Sequence, residues 1–202
     1  MKQQKNARDC LMEAVQLSNL ANRALGVYRI TAPVPNTDFG LRHELFLNAL
    51  TDSAGRNAIL IAHILFDDGK QGKRGRNLKT VVSICHKEGW ITDAERQNLE
   101  QKIQTVKDSN AYRLLRTFRN RRAAHHDVEK EFKGKEIVTG NQVKEVLTAA
   151  REVLAVCSNT LNWQVNDVAA QLENIKREWL RFLEDIPANL KELKQYYESV
   201  AQ

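Results

Sequence analysis

From residue 7 onward, apolar side chains along this chain return every three or four positions. Ala7, Leu11, Ala14, Leu17, Ala21, Ala24 and Tyr28 draw one stripe down a helix, because 3.6 residues per turn brings such positions onto one face. This helix is predicted to end near Arg29, since Pro33, Pro35 and Asn36 follow and proline discourages helix in the residue before it. Asp38 is a candidate cap for a second long helix with Leu41, Leu45, Leu50, Ala54, Ala58, Ile61 and Leu65 on its apolar face, stopped by Asp67, Asp68 and Gly69. A third spans about Leu78 to Glu88, with Gly89 as a left-handed cap.

Thr92 and Glu95 have capping-box spacing and start a fourth helix that runs to about Asp108. Ser109 or Asn110 caps a fifth, with Ala111, Tyr112, Leu114, Leu115 and Phe118 inward. After a break at Lys133 to Gly140, residues 141–185 read as one long helix or as two with a bend near Asn162. Val143, Leu147, Ala150, Leu154, Cys157 and Leu161 stripe the first half, and Val168, Leu172, Ile175, Trp179 and Phe182 the second. Pro187 interrupts, and a short last helix from about Ala188 carries Leu190, Leu193, Tyr196 and Tyr197. No segment has strand periodicity, so the expected fold is all-α, an antiparallel helical bundle with additional C-terminal helices.

With 202 residues the chain is expected to be a single helical domain, 1–202, large enough to bury a core without disulfides. Cys10, Cys85 and Cys157 are far apart and form no Cys-x-x-Cys pair, which fits a reducing, cytoplasmic setting. The most apolar window, residues 58–66, is too short to span a bilayer, and the opening residues have no apolar stretch of signal-peptide type. A soluble protein is expected, with no membrane partner. The net charge of +6 permits an anionic partner without requiring one.

The distribution of that charge is more informative than its sum. Between Ser109 and Asp127 stand five arginines, Arg113, Arg116, Arg119, Arg121 and Arg122, with no acid among them, and then His125 and His126. Arginine presents a planar fork of donors that matches phosphate oxygens, and histidine titrates nearest neutrality. The plain reading of such a run is a basic solvent face, with the histidines near a helix end where positive charge is favoured.

The run Arg119-Asn120-Arg121-Arg122-Ala123-Ala124-His125 resembles the signature of HEPN proteins, the higher-eukaryote and prokaryote nucleotide-binding helical family: arginine, a polar residue, then histidine after four to six intervening positions. Ala124-His125-His126-Asp127 and the upstream Leu65-Phe66-Asp67 resemble the AbiU-type abortive-infection branch. The resemblance covers about residues 40–160, which would form the HEPN-like core, with the N-terminal helix and the C-terminal helices packed on it. It implies a metal-independent endoribonuclease, a toxin or phage-defence effector in which the RNA 2′-hydroxyl attacks the adjacent phosphate to leave a cyclic phosphate end. It also implies a homodimer whose paired motifs complete the site, and restraint by an antitoxin or other regulatory protein.

Under that resemblance His125 transfers the proton, Arg119 holds the phosphate and stabilises its developing charge, and Asn120 orients the histidine or the phosphate. Arg116, Arg121 and Arg122 attract the RNA backbone. Helical geometry points elsewhere for the histidine. At about 100° per residue Arg119 and His125 diverge by about 120° around the axis, whereas His126 lies about 20° from Arg119. Both histidines therefore stand as catalytic candidates, a two-fold dimer being able to bring divergent groups together. Asp127 reads equally as a partner for a histidine and as a surface acid. The alternative function is a catalytically silent HEPN-like module that binds a protein or nucleotide.

Elsewhere the chemistry is thin. Residues 69–77 form a glycine-rich basic loop that lacks the P-loop pattern, and read as a solvated connection or as a basic arm touching RNA. His43, His63 and His86 are isolated, and His63, inside the most apolar window, reads as a core or interface residue. No metal-ligand spacing occurs and no cofactor is expected. Trp163, Trp179, Phe182, Tyr196 and Tyr197 fall at helical spacing and read as packing residues.

Overall fold

The computed structural model describes residues 7–32, 44–67, 77–120, 138–159, 161, 173–178 and 180–181. Six helices carry the architecture: α1 Ala7–Thr31, α2 Glu44–Phe66, α3 Leu78–Lys87, α4 Asp93–Asp108, α5 Asn110–Phe118 and α6 Gly140–Asn159. Residues 173–178 are helical as well, and there is no strand among the described residues. The fold is an all-α bundle, as the periodicity predicts. The first part of 141–185 forms α6, which ends at Asn159, where the Leu161 N–H turns back to the Ser158 carbonyl at 3.0 Å; the predicted bend near Asn162 lies outside the described residues. The expected caps at Asp38 and the helix from Ala188 lie outside the described residues.

Local chemistry sets the helix ends. Asn77 Oδ1 accepts from the Thr80 N–H at 2.8 Å and starts α3. Gly89, at φ 72°, ends it: Trp90 N–H bonds the Cys85 carbonyl at 2.9 Å and Gly89 N–H the His86 carbonyl at 3.0 Å, the paired bonds of a Schellman turn. Thr92 and Glu95 form the predicted capping box, with Thr92 N–H donating to Glu95 Oε2 at 2.8 Å and Glu95 N–H to Thr92 Oγ1 at 3.2 Å. The bonds that the Thr92 N–H and hydroxyl donate to it hold the Glu95 carboxyl below its usual range. Thr139 and Gln142 repeat the device at the start of α6.

α1 packs along α2 and α6, and the polar contacts give the directions. Thr51 Oγ1, near the start of α2, donates to Thr31 Oγ1 at the end of α1 at 2.7 Å. Arg29, also near the end of α1, donates to Asn141 Oδ1 at 2.7 Å at the start of α6. Thr31 thus meets Thr51 while the earlier Tyr28 meets the later Gly55, so α1 runs antiparallel to α2, and its last turn meets the first turn of α6. Tyr28 sits where the three helices meet. A Cβ at Gly55 would approach Tyr28 Cδ2 to 3.0 Å and one at Gly140 would approach Cε1 to 3.2 Å, so both helices close on the ring only because these positions are glycine.

The core is filled by Leu11, Leu25, Leu65 and Phe66 with Leu78, Val81, Val82, Leu115, Leu147 and Leu154, all fully buried. Burial of each such side chain contributes roughly 1.5–3 kcal/mol relative to exposure. Two stripes differ from expectation. On α2 Leu45 is 90% exposed and Leu47 takes the inward position. On α1 the buried face includes Ser18 and Asn22, while Leu17 is only partly covered. Cys85 of α3 and Cys157 of α6 meet inside, both buried and free, and the hydrogen bond with Cys85, together with burial, pushes the Cys157 thiol well up. No helix among the described residues is long and apolar enough to cross a membrane.

Candidate functional site

The arginine-rich segment begins as a capped, strongly amphipathic helix. Ser109 Oγ accepts from the Tyr112 N–H at 3.2 Å, fixing the first turn of α5. Ala111, Tyr112 and Leu115 then fall on the buried side, which leaves Arg113 and Arg116 outward. Arg119 follows the last turn with helical backbone angles, φ −57° and ψ −46°, and its N–H bonds the Arg116 and Leu115 carbonyls. A cation here is favoured by the negative end of the helix dipole.

Arg119 and Asn120 are both exposed, and they are joined: Arg119 Nη1 donates to Asn120 Oδ1 at 3.0 Å. Within the described chain, therefore, the asparagine orients the arginine. Arg113 is held similarly by Asn110 Oδ1 at 3.1 Å. The Arg116 and Arg119 side chains are exposed, and among the described residues no carboxylate pairs with them. Arg121, Arg122, His125, His126 and Asp127 lie outside the described residues.

Under the arginines is a residue whose place in the sequence does not connect it to them. His63 of α2 is buried, and its ring stacks on Tyr112 of α5 with centroids 5.7 Å apart and an interplanar angle of 11°. Phe66 packs against the same tyrosine at 5.8 Å. Burial pushes the His63 imidazole below its ordinary range; Asp67 opposes this, and the positive charges of Arg119 and Arg116 reinforce it. His63 is accordingly neutral at pH 7 and adds no charge to the arginine face. Of the remaining histidines, His86 pairs with Asp93 at 3.0 Å across the α3–α4 turn, and His43 lies outside the described residues. Among the described residues no group of three or more His, Cys, Asp or Glu side chains could hold a metal.

The arrangement is an exposed arginine, steered by its neighbouring asparagine, at the mouth of the segment that bears the histidines. A sequence model of the HEPN family AbiU2 matches residues 11–182. The chain belongs to the AbiU2 family. The match takes in α1 as well as the stretch of about 40–160 in which the motifs stand, so the N-terminal helix is part of the AbiU2 unit. This is a HEPN-type domain of the abortive-infection class, and Arg119 and Asn120 lie within the matched span. No curated protein and no solved structure matches the chain.

The motif signals Arg119 and Asn120 directly, whereas His63 and Tyr112 are 49 positions apart and meet only through the packing of α5 on α2. The local signal for His63 is its place in the most apolar window, 58–66, which predicts its burial but not its partner.

Proposed function

We propose that this AbiU2 chain is a metal-independent endoribonuclease that acts as a toxin or phage-defence effector. The supporting observation is Arg119: exposed, oriented by Asn120 at 3.0 Å, and without a carboxylate partner among the described residues. A guanidinium held in this way donates two parallel hydrogen bonds to a phosphodiester and stabilises the charge that grows on its oxygens as the 2′-oxygen attacks. The 2′-hydroxyl proton passes to an imidazole, the new P–O bond closes a 2′,3′-cyclic phosphate, and the 5′-oxygen leaves with a proton. His125 serves as the proton-transfer group, with His126 as the alternative on helical geometry. Arg116, Arg121 and Arg122 draw the strand in, and two copies of the chain pair their motifs around one cleft.

The test is digestion of mixed RNA by the purified chain in EDTA, with the product ends identified. Arg119→Ala and His125→Ala should each lower cleavage by about 10²–10³-fold, the loss expected from removing one transition-state donor or proton-transfer group. Unchanged circular dichroism would place the loss in the chemistry. RNA left intact by the wild type, or cut equally fast by Arg119→Ala, would overturn the proposal in favour of a silent module that binds a protein or nucleotide. Molar mass by light scattering tests the dimer.

A further inference from the structure

A cavity of about 110 Å³ opens beside the arginine motif, walled by four helices. Leu25 and Tyr28 come from α1, Thr51, Asp52, Gly55 and Arg56 from α2, Phe118 from α5, and Val138 and Gly140 from the start of α6. Its size is well below the roughly 300–1,000 Å³ of sites that enclose a whole drug-sized ligand. It accommodates one ring system, with the remainder of the molecule outside. Phe118, the residue before Arg119, and Tyr28 supply aromatic walls, and Tyr28 is locked in place between Gly55 and Gly140.

The polar atoms around the opening select among ring systems. Thr51 Oγ1 spends its proton on Thr31 Oγ1 at 2.7 Å, and Thr31 Oγ1 gives its own to the Val27 carbonyl at 2.8 Å. Thr51 therefore presents only lone pairs to the cavity. The Asp52 carboxylate next to it also only accepts, while Arg56, paired with Asp52 at 3.5 Å, only donates. Two acceptors and one cationic donor complement a ring that carries adjacent N–H donors and, on another edge, paired acceptors. Among the nucleobases guanine has that pattern, with donors at N1 and N2 and acceptors at O6 and N7, and arginine is its commonest partner.

We propose that this cavity is a base-binding subsite that takes a guanine of a single-stranded RNA whose neighbouring phosphate reaches Arg119. The inference deepens the ribonuclease reading and rests on it for the identity of the strand. A base splayed from a single strand, stacked on an aromatic ring and bonded along its edges, is the usual mode of sequence-specific RNA recognition. The subsite makes the enzyme selective for position along the chain, while the arginines supply affinity that every phosphate shares.

The experiment measures binding by fluorescence anisotropy, using a labelled 2′-fluoro uridine hexanucleotide with one central guanosine. The same oligomer with adenosine in that place is the comparison. The fluorine removes the attacking hydroxyl, so the probe survives. Guanosine should bind about tenfold tighter than adenosine, the size of one bidentate base contact. Asp52→Asn should abolish that preference; loss of its charge and release of Arg56 tighten both probes and the all-uridine hexamer alike, so the guanosine-to-adenosine ratio is the readout. Equal binding of the two probes by the wild type, or a preference retained by Asp52→Asn, would overturn the subsite. Digestion of natural RNA separates the two claims. Cleavage without base preference removes the subsite and leaves the nuclease, whereas guanosine-selective binding without cleavage removes the nuclease and leaves the subsite.

Discussion

Replacing Ser18 by alanine should make the protein more stable, an unusual direction for a change at a fully buried position. Ser18 and Asn22 stand one turn apart on the covered face of α1, both with no exposed surface. Among the described residues Ser18 Oγ and both amide atoms of Asn22 have no hydrogen-bond partner. A buried polar group left unpaired costs about 1–3 kcal/mol, and alanine is also the better helix former by about 0.5 kcal/mol. Against this stands the loss of a few dispersion contacts made by one oxygen atom, each about 0.1–0.2 kcal/mol. The balance favours Ser18→Ala by about 1–2 kcal/mol, which raises Tm by roughly 3–6 °C in a domain of this size. Reversible thermal or urea unfolding measures it, with the exposed Ser53→Ala on α2 as a control expected within about 0.5 kcal/mol of wild type. A Tm that is unchanged or lowered in Ser18→Ala refutes the reasoning, because the hydroxyl would then have to be satisfied in solution.

Two further outcomes follow from groups inside the bundle. The His63 imidazole is harder to protonate folded than unfolded, so the unfolded chain binds the extra proton as pH drops below about 6.5, and stability present above that pH is lost through the window beneath it. His63→Phe keeps a ring against Tyr112 but cannot titrate, and the fall in urea midpoint between pH 7 and pH 5 should be smaller than in wild type; an identical fall in both proteins would contradict the assignment. The thiols of Cys10, Cys85 and Cys157 are all buried. In native buffer a disulfide-exchange reagent should label none of them faster than the protein opens, and in denaturant it should label all three; prompt labelling of the native protein would contradict this burial.

Features set by neighbours in sequence could be read before any fold was known. The Thr92–Glu95 box, the left-handed Gly89 and the Ser109 cap each depend on residues within one turn, and each is present in the structure. Periodicity misjudged α2 at Leu45 and α1 at Ser18 and Asn22, because an apolar stripe assumes that every buried position is apolar and every apolar one buried. The site divides in the same way. Arg119 and Asn120 are neighbours in sequence, and the hydrogen bond between them is local. The stack of His63 on Tyr112 and the cavity between Tyr28, Asp52 and Phe118 arise from helices far apart along the chain, which no local pattern encodes.

Phe118 lines the cavity, and the next residue along the chain is Arg119. One wall of the cavity and the first exposed guanidinium after α5 therefore share a single turn of backbone. A change of bulk at Phe118 is felt at both, so the shape of the cavity and the aim of Arg119 are inherited together.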